Sequence, residues 1–117
     1  MKKKTYAPMP GSTILNGITG HKAIVMAANT RIATVAEGIF QAAKDTDSAV
    51  FMELARSESD LKGGYTGLVP KDFSLKMLEA AKKVKFDVWA LHADHITIKK
   101  GDAAEIEGTK QLIDAQV

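Results

Sequence analysis

The sequence predicts an α/β fold built from parallel strand–helix units, and three observations lead there. Three short apolar runs alternate with longer segments whose apolar residues recur at helical spacing. The runs are continuous rather than alternating, the pattern of parallel strands covered on both faces. Finally, the polar residues able to do chemistry gather after the strands, the end at which parallel βα folds assemble their sites.

In chain order, residues 1–22 form a lead-in segment that holds two of the three prolines, with Ile14, Leu15 and Ile18 able to form a short turn of helix. Residues 23–117 carry three βα units. "KAIVMAANT" predicts a strand over Ala23–Ala28, buried on both sides. "RIATVAEGIFQAAKDTD" places Ile32, Val35, Ile39 and Ala43 on one helical stripe and closes in the turn cluster "KDTDS". "AVFMELA" predicts the second buried strand, Ala49–Leu54, and the loop from Ala55 to Pro70 is longer than most βα connections. "DFSLKMLEAAKKVK" predicts a helix capped by Asp72, with Phe73, Met77, Ala80, Ala81 and Val84 facing the core and lysines in the last turn. "FDVWALHA" supplies the third strand. "DAAEIEGTKQLIDAQV" supplies the third helix of these units, with Asp102 and Glu105 at N-cap and N3 spacing. Three parallel strands leave two exposed edges, so the chain is expected to be part of something larger, or to be covered by a partner.

Bulk properties remove several function classes. The 117 residues suit one domain, and 45% hydrophobic with 26% charged residues is ordinary for a globular protein. A net charge of +2 gives no reason to expect a nucleic-acid partner, and the one basic cluster, Lys2-Lys3-Lys4, reads as a solvated terminal tail. The absence of cysteine excludes disulfides and thiolate ligands. No signal-peptide pattern or membrane-length apolar run is present, so the expected setting is cytoplasmic.

Chemistry concentrates in two stretches. "ALHADHITIKKG" sets His92, Asp94 and His95 within four residues at a strand's end, in a chain with three histidines. Along a strand His92 and Asp94 share a face, while His95 turns away or enters the loop. The cluster is either half of a metal site with a carboxylate beside it, or a hydrogen-bonded polar strand end; a catalytic zinc needs about three protein ligands. "KGGYTGLVP" offers Gly63, Gly64 and Gly67, either as a flexible turn or as backbone that can approach an anion. It matches neither a P-loop nor a dinucleotide fingerprint. Glu53, a carboxylate in an apolar strand, must face a site or pair with a cation such as Arg31 or Arg56. Trp89 and Met52 read as core.

Taken together, "ELARSESDLKGGYTGLVPKDF" and the following "ALHADHITIKK" resemble the class II metal-dependent ketose-bisphosphate aldolases. The "GGYTG-x-x-P-x-DF" run is most similar to the tagatose-bisphosphate aldolase subunit branch, and the likeness spans roughly residues 23–100. The resemblance implies a (β/α)8 TIM barrel of which this chain is the first three units. It also implies a lyase that reversibly cleaves a ketose 1,6-bisphosphate to dihydroxyacetone phosphate and glyceraldehyde 3-phosphate. In the family the aspartate of the Asp-His pair is the acid/base and the next histidine is a zinc ligand, roles that fall on Asp94 and His95. The metal, Zn2+ or another divalent ion, would polarise the substrate carbonyl. His92 takes a supporting role, and Asn29, Glu53, Ser57, Gly63 and Gly64 stand where substrate contacts are expected.

The departures from the family are equally specific. No histidine follows His95, although further zinc ligands in the family come from later strands. The isolated chain is therefore expected to be inactive. The partners implied are a phosphorylated sugar and either further copies of the chain or the remainder of a barrel. The alternative is a non-catalytic subunit that supports an aldolase partner.

Overall fold

The computed structural model describes residues 4–117. Helix α1 spans Gly11–Ile18, strand β1 Met26–Asn29, helix α2 Ala36–Asp45, strand β2 Val50–Ala55, helix α3 Pro70–Val84, strand β3 Trp89–Asp94 and helix α4 Ala103–Gln116. Single 3-10 turns precede α2 at Ala33–Val35 and lie within the β2–α3 loop at Gly64–Thr66. The sheet order is β1-β2-β3, parallel throughout, so the α/β class and the parallel βα units expected from the sequence are present. Lys2 and Lys3 of the basic cluster lie outside the described residues, and Lys4 pairs with Asp87 at 3.0 Å.

The strands bury one face more than the other. Along β2, Val50, Met52 and Leu54 are buried, while Phe51, Glu53 and Ala55 are only partly so. The buried set packs with Phe40 and Ala43 of α2 and with Phe73, Met77, Ala80 and Ala81 of α3. Both helices thus cover the same face, as a 1-2-3 strand order with right-handed crossovers requires. Trp89 and Phe40 meet edge to face with centroids 5.1 Å apart, an arrangement worth about 1 kcal/mol beyond area burial. Trp89 and Met52 are fully buried, as expected of core residues. The opposite face is covered only at its lower end, where the α1 start approaches Phe51 so closely that a Cβ at Gly11 would sit 3.0 Å from the ring.

The lead-in segment is stitched to the third strand. Trp89 Nε1–H donates to the Tyr6 carbonyl at 2.9 Å, and Met9 N–H donates to the Trp89 carbonyl at 2.9 Å. An indole N–H in a core needs such an acceptor.

Several element-level expectations are corrected. The apolar run Ala23–Ala28 yields only a four-residue strand starting at Met26, and it is not buried on both sides: Ile24 is 95% and Met26 61% exposed. β1 is an edge strand with one neighbour, so its outer positions have nothing to pack against. In α2 the buried stripe is Ala36, Phe40 and Ala43, because the 3-10 turn rotates the entry and leaves Ile32 and Val35 exposed. Asp72 is not the cap of α3: the helix begins at Pro70, whose missing N–H costs nothing in the first turn, and Asp72 sits within that turn. The stripe Phe73, Met77, Ala80 and Ala81 is buried as expected. Asp102 does cap α4, its carboxylate accepting the Glu105 N–H at 2.8 Å. No helix of the described residues is long and apolar enough to cross a membrane.

Candidate functional site

The carboxyl ends of the three strands form a rim on the face not covered by α2 and α3. Parallel register places Asn29, Glu53 and His92 side by side across the sheet, and one pleat-pair further Ala55 opposite Asp94. His92 and Asp94, two apart on β3, share this face.

Glu53 finds its partner within that row. His92 Nδ1 lies 2.5 Å from Glu53 Oε2, with the Glu53 side chain 13% and the His92 side chain 49% exposed. The arginines named as its partners go elsewhere. Arg31 pairs with Glu58 at 3.0 Å, and Arg56 donates to the Thr97 carbonyl and to Thr109 Oγ1. The next turn of backbone carries His95 out of the strand with φ 50. Its side chain is 79% exposed, and Nε2 stands 3.4 Å from Asp94 Oδ2. Asp94 and His95 are therefore adjacent and open to a ligand. Two donors do not make a zinc site, however, and no group of three or more His, Asp or Glu side chains is placed to hold a metal among the described residues. The present residues do not by themselves fit the metal that the resemblance implies.

The glycine loop is organised differently from the anion-binding turn entertained above. Gly63 N–H donates to the Asp60 carbonyl and Gly64 N–H to Asp60 Oδ1, both at 3.0 Å. These donors are consumed inside the loop and are not available to an anion. The loop needs Gly64 for a steric reason. Its φ is +55, and a Cβ there would lie 2.5 Å from the Glu58 carbonyl carbon. The N–H groups of Lys62 and Gly64 hold the Asp60 carboxyl below its ordinary range. Ser57 is exposed at the edge of a cleft shared with Arg56, Asp60, His95, Thr97 and Glu105, and its hydroxyl bonds to none of the other named site residues.

The organising residue of the rim is Glu58, 3% exposed, one of the polar residues that follow the second strand in the sequence but one given no role there. Its carboxylate accepts from Asn29 Nδ2 at 2.7 Å, Ala55 N–H at 2.8 Å and Tyr65 O–H at 2.6 Å, and it pairs with Arg31. Burial alone would raise its carboxyl, but the hydrogen bonds from Tyr65, Ala55 and Asn29, with the Arg31 charge, outweigh that and hold it below the ordinary glutamate range. The same contact raises the Tyr65 phenol. Asn29 is committed at both ends of its amide, because Oδ1 accepts from Arg31 N–H and Nε. The position of this glutamate after a strand was legible, but nothing in "ARSESD" signals its burial, since a run of small polar residues reads equally well as a solvated loop.

No protein-family model matches the chain, and no match is found among curated proteins. Among solved structures, the chain is similar to the crystal structure of a probable tagatose 6 phosphate kinase from Sinorhizobium meliloti 1021, with a TM-score of 0.69 and 20% sequence identity. The likeness covers 81% of this chain and 26% of that one. At that identity it establishes the fold alone: the parallel βα units seen here recur as about a quarter of a longer protein.

Proposed function

We propose that this chain is the first three βα units of a (β/α)8 barrel lyase of the class II ketose-bisphosphate aldolase type. The observation that carries the reading is the placement of Asp94 and His95 at the carboxyl end of β3, adjacent and accessible, on the face that also holds the Glu53–His92 pair. Several features support it. Helices α2 and α3 lie on one face of a 1-2-3 sheet, the local arrangement of a singly wound barrel. The structural neighbour is longer, and its name ties it to tagatose 6-phosphate, a phosphorylated ketose.

In this reading Asp94 takes the proton from the hydroxyl on the carbon being cleaved. The O–H pair becomes the carbonyl of the aldehyde fragment as the carbon–carbon bond breaks. The electrons of that bond remain on the dihydroxyacetone phosphate fragment, which then takes up a proton. His95 would be one donor to a divalent metal, for which the described residues alone do not complete a donor set. Because that donor set is incomplete here, the purified 117-residue chain is inactive.

A second reading has its own support in the same incompleteness: a non-catalytic subunit whose rim assists an aldolase partner. Asp94→Ala in the longer protein separates the two. Catalysis by Asp94 predicts a fall in turnover of about 10²–10⁴-fold with an unchanged circular dichroism spectrum. Unchanged turnover assigns the supporting role. Aldol cleavage of fructose or tagatose 1,6-bisphosphate by the 117-residue chain alone would overturn the incomplete-site reading.

A further inference from the structure

The densest convergence of donors on one side chain lies outside the residues that the aldolase reading uses. Glu58 collects Asn29 and Arg31 from the end of β1, the Ala55 N–H from the end of β2, and Tyr65 from the glycine turn. Its own side chain is 4% exposed, whereas that of Arg31 is 56% exposed.

The guanidinium is gripped along one edge. Nε donates to Asn29 Oδ1 at 3.0 Å, and Nη2 stands 3.0 Å from Glu58 Oε1. Nη1 makes no hydrogen bond or ion pair among the described residues. An arginine held in this way has lost its rotamer freedom, and its remaining donor points in a set direction. The Glu58 charge is also shared among three neutral donors as well as Arg31, so the arginine keeps part of its attraction for a second anion.

We propose that Glu58 is a positioning residue, fixing Asn29 and aiming the open edge of Arg31 at the anionic group of a phosphorylated ligand. The ligand class rests on the aldolase reading above; the aiming does not. Affinity for an anion then depends on the geometry of the Glu58 carboxylate and not only on the charge of the rim. Removing that negative charge weakens anion binding, opposite to what simple electrostatics gives.

The test is a titration of the 117-residue chain with inorganic phosphate, against chloride at equal ionic strength. The side-chain resonances of Arg31 Nε–H and the Asn29 amide are the readout. Saturable shifts at Arg31 are expected in the wild type, with the dissociation constant rising at least fivefold in Glu58→Gln. Glu58→Asp keeps the charge but withdraws the carboxylate by one methylene, and it is expected to lose affinity as well. It also serves if Glu58→Gln does not fold.

Binding by Glu58→Gln equal to or tighter than wild type would overturn the proposal, as would full affinity in Glu58→Asp. So would shifts at Arg31 no larger than those at Lys99 and Lys100. Turnover does not enter this titration, so its failure leaves the Asp94 reading standing, and failure of the Asp94 test leaves this one.

Discussion

The loop after β2 turns inward, whereas the loop after β3 opens outward. In the first, the N–H groups of Lys62, Gly63 and Gly64 all bond to Asp60, and Tyr65 and Thr66 N–H bond back to the carbonyls of Ser57 and Glu58. In the second, the backbone after Thr97 is tied down by one side chain, Glu105, which takes the N–H groups of Lys99, Lys100 and Gly101 at 2.7–2.8 Å. Those bonds hold the Glu105 carboxyl below its ordinary range. At the mouth of this loop the His95 side chain is 79% exposed and that of its neighbour Asp94 28%. One loop uses its polar groups on its own shape; the other is held by a single glutamate and leaves His95 exposed.

Substitutions can break or sharpen this contrast. The largest effect is expected from Gly64→Ala. Its Cβ meets the Glu58 backbone at 2.5 Å in a left-handed conformation, so a loss of ~3 kcal/mol is expected in urea unfolding. Gly67→Ala is the control: φ is +75 with nothing within 4 Å, and ~1 kcal/mol is expected.

Glu58→Ala comes next. It leaves the Asn29 amide and the Ala55 N–H without their acceptor, at a cost of about 2 kcal/mol. The pH dependence has a definite sign. The folded carboxyl lies below its unfolded value, so its stabilisation is fully present above that value, 4.5, and is lost as pH falls through the folded one. The difference between wild type and Glu58→Gln, followed by thermal melts, is therefore expected to shrink on acidification.

Asp102→Ala removes the one side-chain cap of the open loop's helix and is expected to cost ~1 kcal/mol. The smallest effect is expected from Asp94→Asn and His95→Ala in the 117-residue chain, within about 0.5 kcal/mol of wild type. A destabilisation of 2 kcal/mol at either position would make them structural residues and erase the contrast between the loops.

The same contrast explains what the sequence made legible. Periodicity located all three strands and the three helices that follow them, because core-facing positions such as Phe73, Met77 and Ala80 must repeat with the helix. It missed the phase of α2, since a 3-10 turn shifts the buried stripe without altering composition. It overstated the burial of β1, because an apolar run does not say whether its strand has one neighbour or two. For the site, the pleat put His92 and Asp94 on one face and left His95 either turned away or carried into the loop; the structure has it in the loop. Glu53 was recognised as needing a partner, but the partner depended on register: only alignment of Glu53 with His92 supplies it. Glu58 stood among the polar residues after the second strand, but its role was illegible for the same reason. Its donors stand up to 29 residues away in the chain, and they converge only once the loop has closed.

The single tryptophan has a practical consequence. Trp89 is fully buried against Phe40, and its N–H is held by the lead-in segment. Its emission therefore reports core formation and lead-in docking as one signal. The rim contains no such fluorophore; its one phenol, Tyr65, lies in the Glu58 network. Loosening of the rim would pass unseen by tryptophan fluorescence, and a chain could look folded by its intrinsic light while the Glu58 network had come apart. In a Tyr6→Phe background, denaturation followed at both chromophores would yield two curves, and the gap between them would measure how far the rim can open before the core gives way.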